Sequence, residues 1–161
     1  MGETSPNPLT PTEQHKKLLE KVGDWRVECL YFTNPEGEPI TAEGVDHVEA
    51  IGSFWTTGTF SCNLVGNPIQ GLATTGYDPR KKKFISTWQD SSTPFFYYFE
   101  GGFADDGALV MEGENADPMT SKLVTYKSIE NLGLNERKLR LFIEIPDAEP
   151  LKILEYRYTR I

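Results

Sequence analysis

The stretch KLRLFIEIPDAEPLKILEYRYTR, residues 138–160, alternates apolar and polar side chains on both sides of a short turn sequence. In its first half the apolar side chains share one face: Leu139, Leu141, Ile143 and Ile145. In its second half another such set follows: Leu154, Tyr156 and Tyr158. Successive side chains of a β-strand point to opposite faces of the sheet. The stretch therefore predicts two strands of a two-faced wall, joined at Pro146-Asp147-Ala148.

The same pattern extends towards the N-terminus as far as residue 25. About ten short runs rich in aromatic and β-branched residues, from Trp25–Thr33 to Leu151–Arg160, alternate with turn clusters containing Gly, Pro, Asn or Asp. Parallel strands need long crossover connections, and no second helical segment supplies them, so the sheet is expected to be antiparallel. Pairing the last strand with the first removes both exposed edges. The sequence predicts an all-β, up-and-down antiparallel barrel.

A short helix over residues 11–22 is predicted to precede the first strand. Thr10 can cap it, Pro11 suits its first position, and Glu13 completes a capping box. One apolar stripe follows at helical spacing: His15, Leu18, Leu19 and Val22. Gly23 is placed to end the helix. With one apolar face, this helix is expected to close one end of the barrel.

The rest of the chain predicts one cytoplasmic domain. Residues 1–9 are expected to form a flexible leader and residues 10–161 a single barrel domain. The first residues lack the basic start and apolar core of a secretory signal, and no run has the ~18 apolar residues of a membrane span. Cys29 and Cys62 have neither CxxC spacing nor the density of a disulfide scaffold, so we interpret them as buried free thiols.

The net charge of −8 argues against a nucleic-acid or anionic-membrane binder, because phosphate groups attract a basic surface. The basic run Arg80-Lys81-Lys82-Lys83 follows Asp78-Pro79, which begins a turn. We interpret this run as the solvated tip of a hairpin between two barrel strands.

The motif Gly23-Asp24-Trp25 opens the first strand directly after the helix. This Gly-x-Trp resembles the opening motif of calycin barrels, the group of lipocalin-like and fatty-acid-binding-protein-like folds. In those proteins the Trp seals the closed end, and an Arg of the last strand lies across its ring. The resemblance implies that Trp25 has this structural role, with Arg160 as its best partner and Arg157 as the second choice.

A closer resemblance covers the chain from His15 to Arg160. The ordered motifs H-x-x-L…GDW, TGYDPRKKKF…TWQDS, EGGFADDGALVMEG, DPMTSK and YTR are similar to a bacterial family of calycin-like barrels, domain-of-unknown-function family 1579. The resemblance implies a fold and no activity. One branch of small ten-stranded barrels holds haem through a His near the chain end. Since His15 and His47 both lie outside the last third, we expect neither haem nor another cofactor.

A barrel of this size has room for a small ligand. Trp88 and Asp90 share a strand face, and with Tyr97 and Phe99 they would line an apolar pocket with one carboxylate. Alternatively the aromatic residues are filler and Asp90 serves the turn at Ser91-Ser92. Phe96 and Tyr98 make the opposite face of the next run aromatic as well. The pattern therefore leaves open which face points inward.

His47 and Glu49 share a strand face, an arrangement compatible with half a metal site or an acid–base pair. A metal site takes three or four ligands, and spacing reveals no others, so no metal is predicted and His47 remains a pocket candidate. No nucleophile elbow, phosphate loop or dinucleotide motif occurs, so no catalytic residue is assigned.

These observations predict a protein that binds a small hydrophobic ligand in its barrel. One alternative is an enzyme that acts on such a ligand by isomerase-like or cyclase-like acid–base chemistry. Another is a homodimeric interaction protein that uses an aromatic outer face and holds no ligand.

Overall fold

The computed structural model describes residues 7–161. The start of the predicted leader, residues 1–6, lies outside the described residues. One helix and ten strands follow in chain order: α1 (Glu13–Leu19), β1 (Gly23–Tyr31), β2 (Ile40–Ile51), β3 (Trp55–Leu64), β4 (Asn67–Asp78), β5 (Lys83–Asp90), β6 (Tyr97–Phe103), β7 (Leu109–Ala116), β8 (Leu123–Asn131), β9 (Glu136–Ile143) and β10 (Leu151–Arg160).

Each strand pairs with its sequence neighbours in an antiparallel arrangement, and β1 pairs with β10 to close the barrel. The closing register places Trp25 opposite Arg160 and Tyr31 opposite Leu154. The predicted all-β antiparallel barrel is confirmed. The reason is local, because short strands with tight turns pair with their sequence neighbours, and closure leaves no edge unpaired.

The alternation in β9 places Leu139, Leu141 and Ile143 on the interior wall. Ile145 does not extend this set as predicted, because β9 ends at Ile143 and Ile145 is 42% exposed in the following loop. The apolar wall residues pack in two clusters, one around Trp25 and one around Phe84, both nearly inaccessible to solvent. Burial of such large side chains contributes about 1.5–3 kcal/mol each to stability.

Helix α1 is shorter than the predicted helix and has a different cap. Thr12 is the N-cap residue and accepts a hydrogen bond from the backbone N–H of His15, 3.4 Å away. The ring Nδ1 of His15 in turn accepts from the Thr12 N–H at 2.9 Å. The capping box therefore joins Thr12 and His15 rather than the predicted Thr10 and Glu13.

A tertiary contact explains this choice of cap. The Nε2 atom of His15 lies 2.9 Å from the carbonyl oxygen of Tyr77 in β4, so the ring is held between the cap and the barrel. Leu18, on the same helical face, is fully buried against the cluster around Phe84. The helix therefore covers one end of the barrel as its apolar stripe suggested.

The basic run lies at the hairpin between β4 and β5. The carboxylate of Asp78 accepts hydrogen bonds from the backbone N–H groups of Arg80 and Lys81, at 2.8 and 3.3 Å. Lys83 pairs with Glu100 on the outer face at 3.1 Å. The run is thus the tip of a hairpin, as the sequence indicated.

Cys29 and Cys62 are both buried and free. Within residues 7–161, no helix has the length and hydrophobicity that a membrane crossing demands.

Candidate ligand-binding cavity

The end of the barrel next to α1 is sealed around Trp25. The guanidinium carbon of Arg160 lies 4.2 Å from the centroid of the indole ring. The same guanidinium donates hydrogen bonds to three backbone carbonyl oxygens, those of Glu20, Val22 and Leu134, at 2.6–2.7 Å. Arg160 therefore ties the last strand to the helix–strand junction and to the β8–β9 turn. Arg157, the second choice, lies on the outer face and pairs with Glu28 and Glu155.

A second arginine on Trp25, Arg137, was missed by the sequence reasoning. Its guanidinium carbon lies 4.4 Å from the Trp25 ring centroid and 3.9 Å from that of Tyr158. Its side chain is only 1% exposed. The signal was present in the sequence, because Arg137 has the same parity as the inward residues Leu139 and Leu141 of β9.

The barrel interior above this seal contains a cavity of about 400 Å³. Its middle section is apolar and largely aromatic: Phe60, Trp88, Phe99, Met111, Leu139 and Tyr156. The space extends towards the end opposite α1, where the lining includes Asp90, Thr93 and Asp117. The benzo edge of the Trp88 ring lies directly over Gly71 of β4, where a Cβ atom would clash with it. The absence of a side chain at this position therefore gives the indole the space that it occupies against β4.

Four of the five pocket candidates line this cavity: Trp88, Asp90, Tyr97 and Phe99. The register places Tyr97 opposite Trp88 and Phe99 opposite Ser86, so all of them are on one face. Phe96 is 60% exposed before the start of β6. The structure therefore selects the inward face that the aromatic pattern left open.

Asp90 has two roles at the open end. One carboxylate oxygen accepts a hydrogen bond from the indole N–H of Trp88 at 2.7 Å. The other accepts from the backbone N–H of Ser92 at 2.8 Å and from the Ser92 hydroxyl. Asp90 both orients the cavity's tryptophan and holds the turn at Ser91-Ser92.

His47 does not line the cavity. It lies on the outer face of β2, with its side chain 53% exposed between Asp24 and Glu49, because the alternate residues Asp46 and Val48 point inward. Its hydrogen bonds with Asp24 and Glu49 raise the pKa of His47 above its usual range. Among the described residues, no group of three or more His, Cys, Asp or Glu side chains is arranged to hold a metal ion.

The floor of the cavity carries a buried cluster of four charged groups that the sequence reasoning missed. Lys21 Nζ lies 2.9 Å from a carboxylate oxygen of Glu130. Arg137 bridges Glu130 and Asp46, at 3.3 and 3.0 Å. These residues come from four different segments of the chain, so only the barrel register brings them together. We call this set the floor cluster.

A family model described as a protein of unknown function, DUF1579, matches residues 10–160. The chain belongs to this family. Among solved structures, the barrel is similar to Rv2717c from M. tuberculosis, with a TM-score of 0.72 and 15% sequence identity over 94% of this chain and 99% of that one. At this identity the likeness shows the fold alone. Among curated proteins, none matches the sequence.

In this DUF1579 barrel, the two carboxyl groups of the floor cluster differ in their electrostatics. Burial raises the pKa of Asp46, and the charges of Arg137 and Lys21 only partly oppose it. Burial acts in the same sense on Glu130, but the charges and hydrogen bonds of Lys21 and Arg137 outweigh it and lower that pKa. Glu130 is thus the better-compensated anion, and Asp46 is the group whose ionisation the fold opposes.

Proposed function

We propose that this protein binds a small, largely apolar molecule inside its barrel. The observation that carries the proposal is the cavity of about 400 Å³ in the centre of the closed sheet. A small barrel that serves only as a scaffold fills its interior with side chains. The volume lies within the ~300–1,000 Å³ typical of small-molecule pockets.

The chemistry of the wall supports the same proposal. Ligand pockets are mostly apolar, with a few polar groups that fix orientation. Here the aromatic middle section would contact the body of the ligand. The hydroxyls of Tyr31 and Tyr156 are hydrogen-bonded to each other at 2.7 Å, so they satisfy one another rather than demanding a polar ligand there.

We place this function in the cytoplasm. Two buried free thiols suit a reducing compartment, where disulfides are rare.

A second candidate is an enzyme that acts on such a ligand. It requires an ionisable group inside the cavity with a shifted pKa. Asp46 meets this requirement, since it lines the cavity and burial raises its pKa. Asp90 fits the role less well, because both its oxygens are engaged by Trp88 and Ser92. Turnover that survives Asp46→Asn would exclude Asp46 as the acid or base.

Native mass spectrometry of the purified full chain tests the binding proposal. We expect a fraction of the protein to carry a bound organic molecule that is released on denaturation. The variant Ala73→Phe, which projects a ring into the cavity from β4, should lack it. A bound mass that is equally abundant in Ala73→Phe would contradict a site inside the barrel.

A further inference from the structure

The cavity wall changes from apolar to polar at the closed end. The polar residues that line this region include Lys21, Asp46, Ser128, Glu130, Arg137 and Tyr158. A barrel that bound a purely hydrocarbon ligand would have no use for this section, because buried polar groups cost stability unless they are hydrogen-bonded.

Some hydroxyl groups at the closed end lie outside the hydrogen bonds of the floor cluster. Among residues 7–161, the side-chain hydrogen bonds here join Lys21 to Glu130 and join Arg137 to Glu130 and Asp46. The hydroxyls of Tyr158 and Ser128 take part in none of them, although both residues are more than nine-tenths buried and line the cavity. In the part of the chain that the structure describes, the buried polar atom of the floor cluster without a hydrogen-bond partner is Nε of Arg137, and leaving such a donor unpaired costs about 1–3 kcal/mol. This end therefore favours a ligand that brings a hydrogen-bonding group of its own.

The floor cluster determines the charge that such a group can carry. When Asp46 and Glu130 are both ionised, their two negative charges balance the positive charges of Lys21 and Arg137, and the cluster is neutral as a whole. An ionised ligand group placed here would be a buried charge without a free partner, unless it displaced one of these ion pairs. An uncharged donor or acceptor avoids that cost.

The open end of the barrel also disfavours an anionic ligand. Outside the floor cluster, the charged groups that line the cavity are the carboxylates of Asp90 and Asp117, and they repel an approaching anion. These carboxylates are also poorly available to a cation, since both oxygens of Asp90 already accept hydrogen bonds from Trp88 and Ser92. Asp117 is similarly engaged within its own loop by the Met119 N–H and the Thr120 hydroxyl.

We propose that the closed end is a subsite for an uncharged oxygen-bearing group, and that the ligand is a neutral amphiphile whose hydroxyl or carbonyl reaches Tyr158 and Ser128. This inference deepens the proposed function and rests on it. The apolar body of the ligand then lies along Trp88, Phe99 and Met111, with its far end towards the mouth.

Displacement of a fluorescent probe by three matched compounds tests this subsite. The full chain is loaded with aminoanthracene, a small uncharged fluorophore, and titrated with decanol, decanoate or decylammonium at neutral pH. Because the three share one hydrocarbon chain, differences report on the head group. We expect decanol to displace the probe at concentrations roughly tenfold lower than either ion. Equal or stronger displacement by decanoate or decylammonium would overturn the proposal.

Variants locate the head group. Tyr158→Phe keeps the ring that stacks on Arg137 and removes only the hydroxyl, so we expect decanol to bind about fivefold more weakly. Ser128→Ala should weaken decanol in the same direction without changing the ring packing. Tyr98→Phe is the control, because the Tyr98 hydroxyl bonds to Glu100 away from the cavity. Unchanged decanol binding in both cavity variants would overturn the assignment.

The result also separates this inference from the proposed function. If the unmodified protein fails to bind aminoanthracene saturably, the binding proposal itself fails. If it binds the probe but shows no preference for decanol, the cavity stands and the neutral subsite at the closed end is wrong.

Discussion

The guanidinium of Arg160 covers the ring of Trp25, with its central carbon 4.2 Å from the ring centroid. The guanidinium of Arg137 lies at 4.4 Å from the same centroid, and two such groups cannot share one face of an indole, so they occupy opposite faces. Trp25 is thus enclosed between a cation at the outside of the barrel and a cation at the floor of its cavity. Because Arg137 also lines the cavity, its contact with Trp25 connects the seal to the candidate ligand site.

Removal of Arg160 tests the contribution of the seal. Arg160→Ala loses a cation–π contact and three hydrogen bonds to backbone carbonyl groups, so we expect the free energy of unfolding to fall by about 2 kcal/mol. Arg26→Ala, exposed on the outer face of the neighbouring strand β1, is the control and should change it by less than about 0.5 kcal/mol. Urea denaturation measures both. Similar losses in the two variants would show that Arg160 is an ordinary surface residue.

Gly23 is expected to be coupled to Arg160. Gly23 has a φ of 137°, which side-chain-bearing residues rarely adopt, and a Cβ atom there would clash with the Arg160 guanidinium. We therefore expect Gly23→Ala to destabilise the protein by at least as much as Arg160→Ala. The two losses should also add up to more than the loss of the double variant. Strict additivity in a double-mutant cycle would refute the coupling.

The two carboxyl groups of the floor cluster should respond oppositely to pH. The folded-state pKa of Glu130 is lowered, so its contribution to stability is present above the ordinary Glu range of about 4.3 and is lost as pH falls through the folded value. Glu130→Gln should cost about 3 kcal/mol at neutral pH and progressively less in acid.

Asp46→Asn provides the matched comparison. The pKa of Asp46 is raised in the folded state, so ionisation of Asp46 opposes folding as pH rises above the ordinary Asp range. At neutral pH, Asp46→Asn should therefore lower the free energy of unfolding by less than Glu130→Gln does. Denaturant titrations at several pH values measure both variants. A larger cost for Asp46→Asn, or a pH-independent cost for Glu130→Gln, would contradict this account of the cluster.

Cys29 is predicted to be unreactive in the folded protein. Burial, together with Cys62 and nearby carboxylates, raises the pKa of Cys29 to about 12, and the thiolate is the reactive form. Iodoacetamide at pH ~8 should alkylate Cys29 at least a hundredfold more slowly in the native protein than in urea. Peptide mass mapping assigns the label to Cys29. Comparable rates in the two conditions would mean that the first strand opens readily.

The sequence predicted the walls of the barrel because strand alternation depends only on nearest neighbours. Leu139 and Leu141 could be placed on one face in this way, and so could Trp88 and Asp90. The aromatic run around Tyr97 could not be oriented, since both its faces are apolar and only the pairing with β5 decides between them.

The floor cluster and the helix cap could not be predicted from local sequence patterns, because both depend on contacts between distant segments. Glu130 and Asp46 are far apart in the chain, and the barrel register together with Arg137 brings them together. His15 completes the capping box of Thr12 because Tyr77 holds its ring, a contact with another element that a capping motif cannot reveal. His47 was misplaced as a pocket residue because alternation separates two faces without saying which one is inside.

The central claim is an open cavity that takes a small apolar molecule, and a binding titration of three proteins with aminoanthracene tests it most directly. The unmodified chain should bind one probe molecule saturably with enhanced fluorescence. Ala73→Phe, which places a ring in the cavity, should weaken binding by at least tenfold, because the probe loses about one ring's area of apolar contact. Val45→Phe, which adds a ring on the exposed outer face of β2, should bind as the unmodified protein does. No saturable binding by the unmodified chain, or equal affinity in Ala73→Phe, would contradict the account.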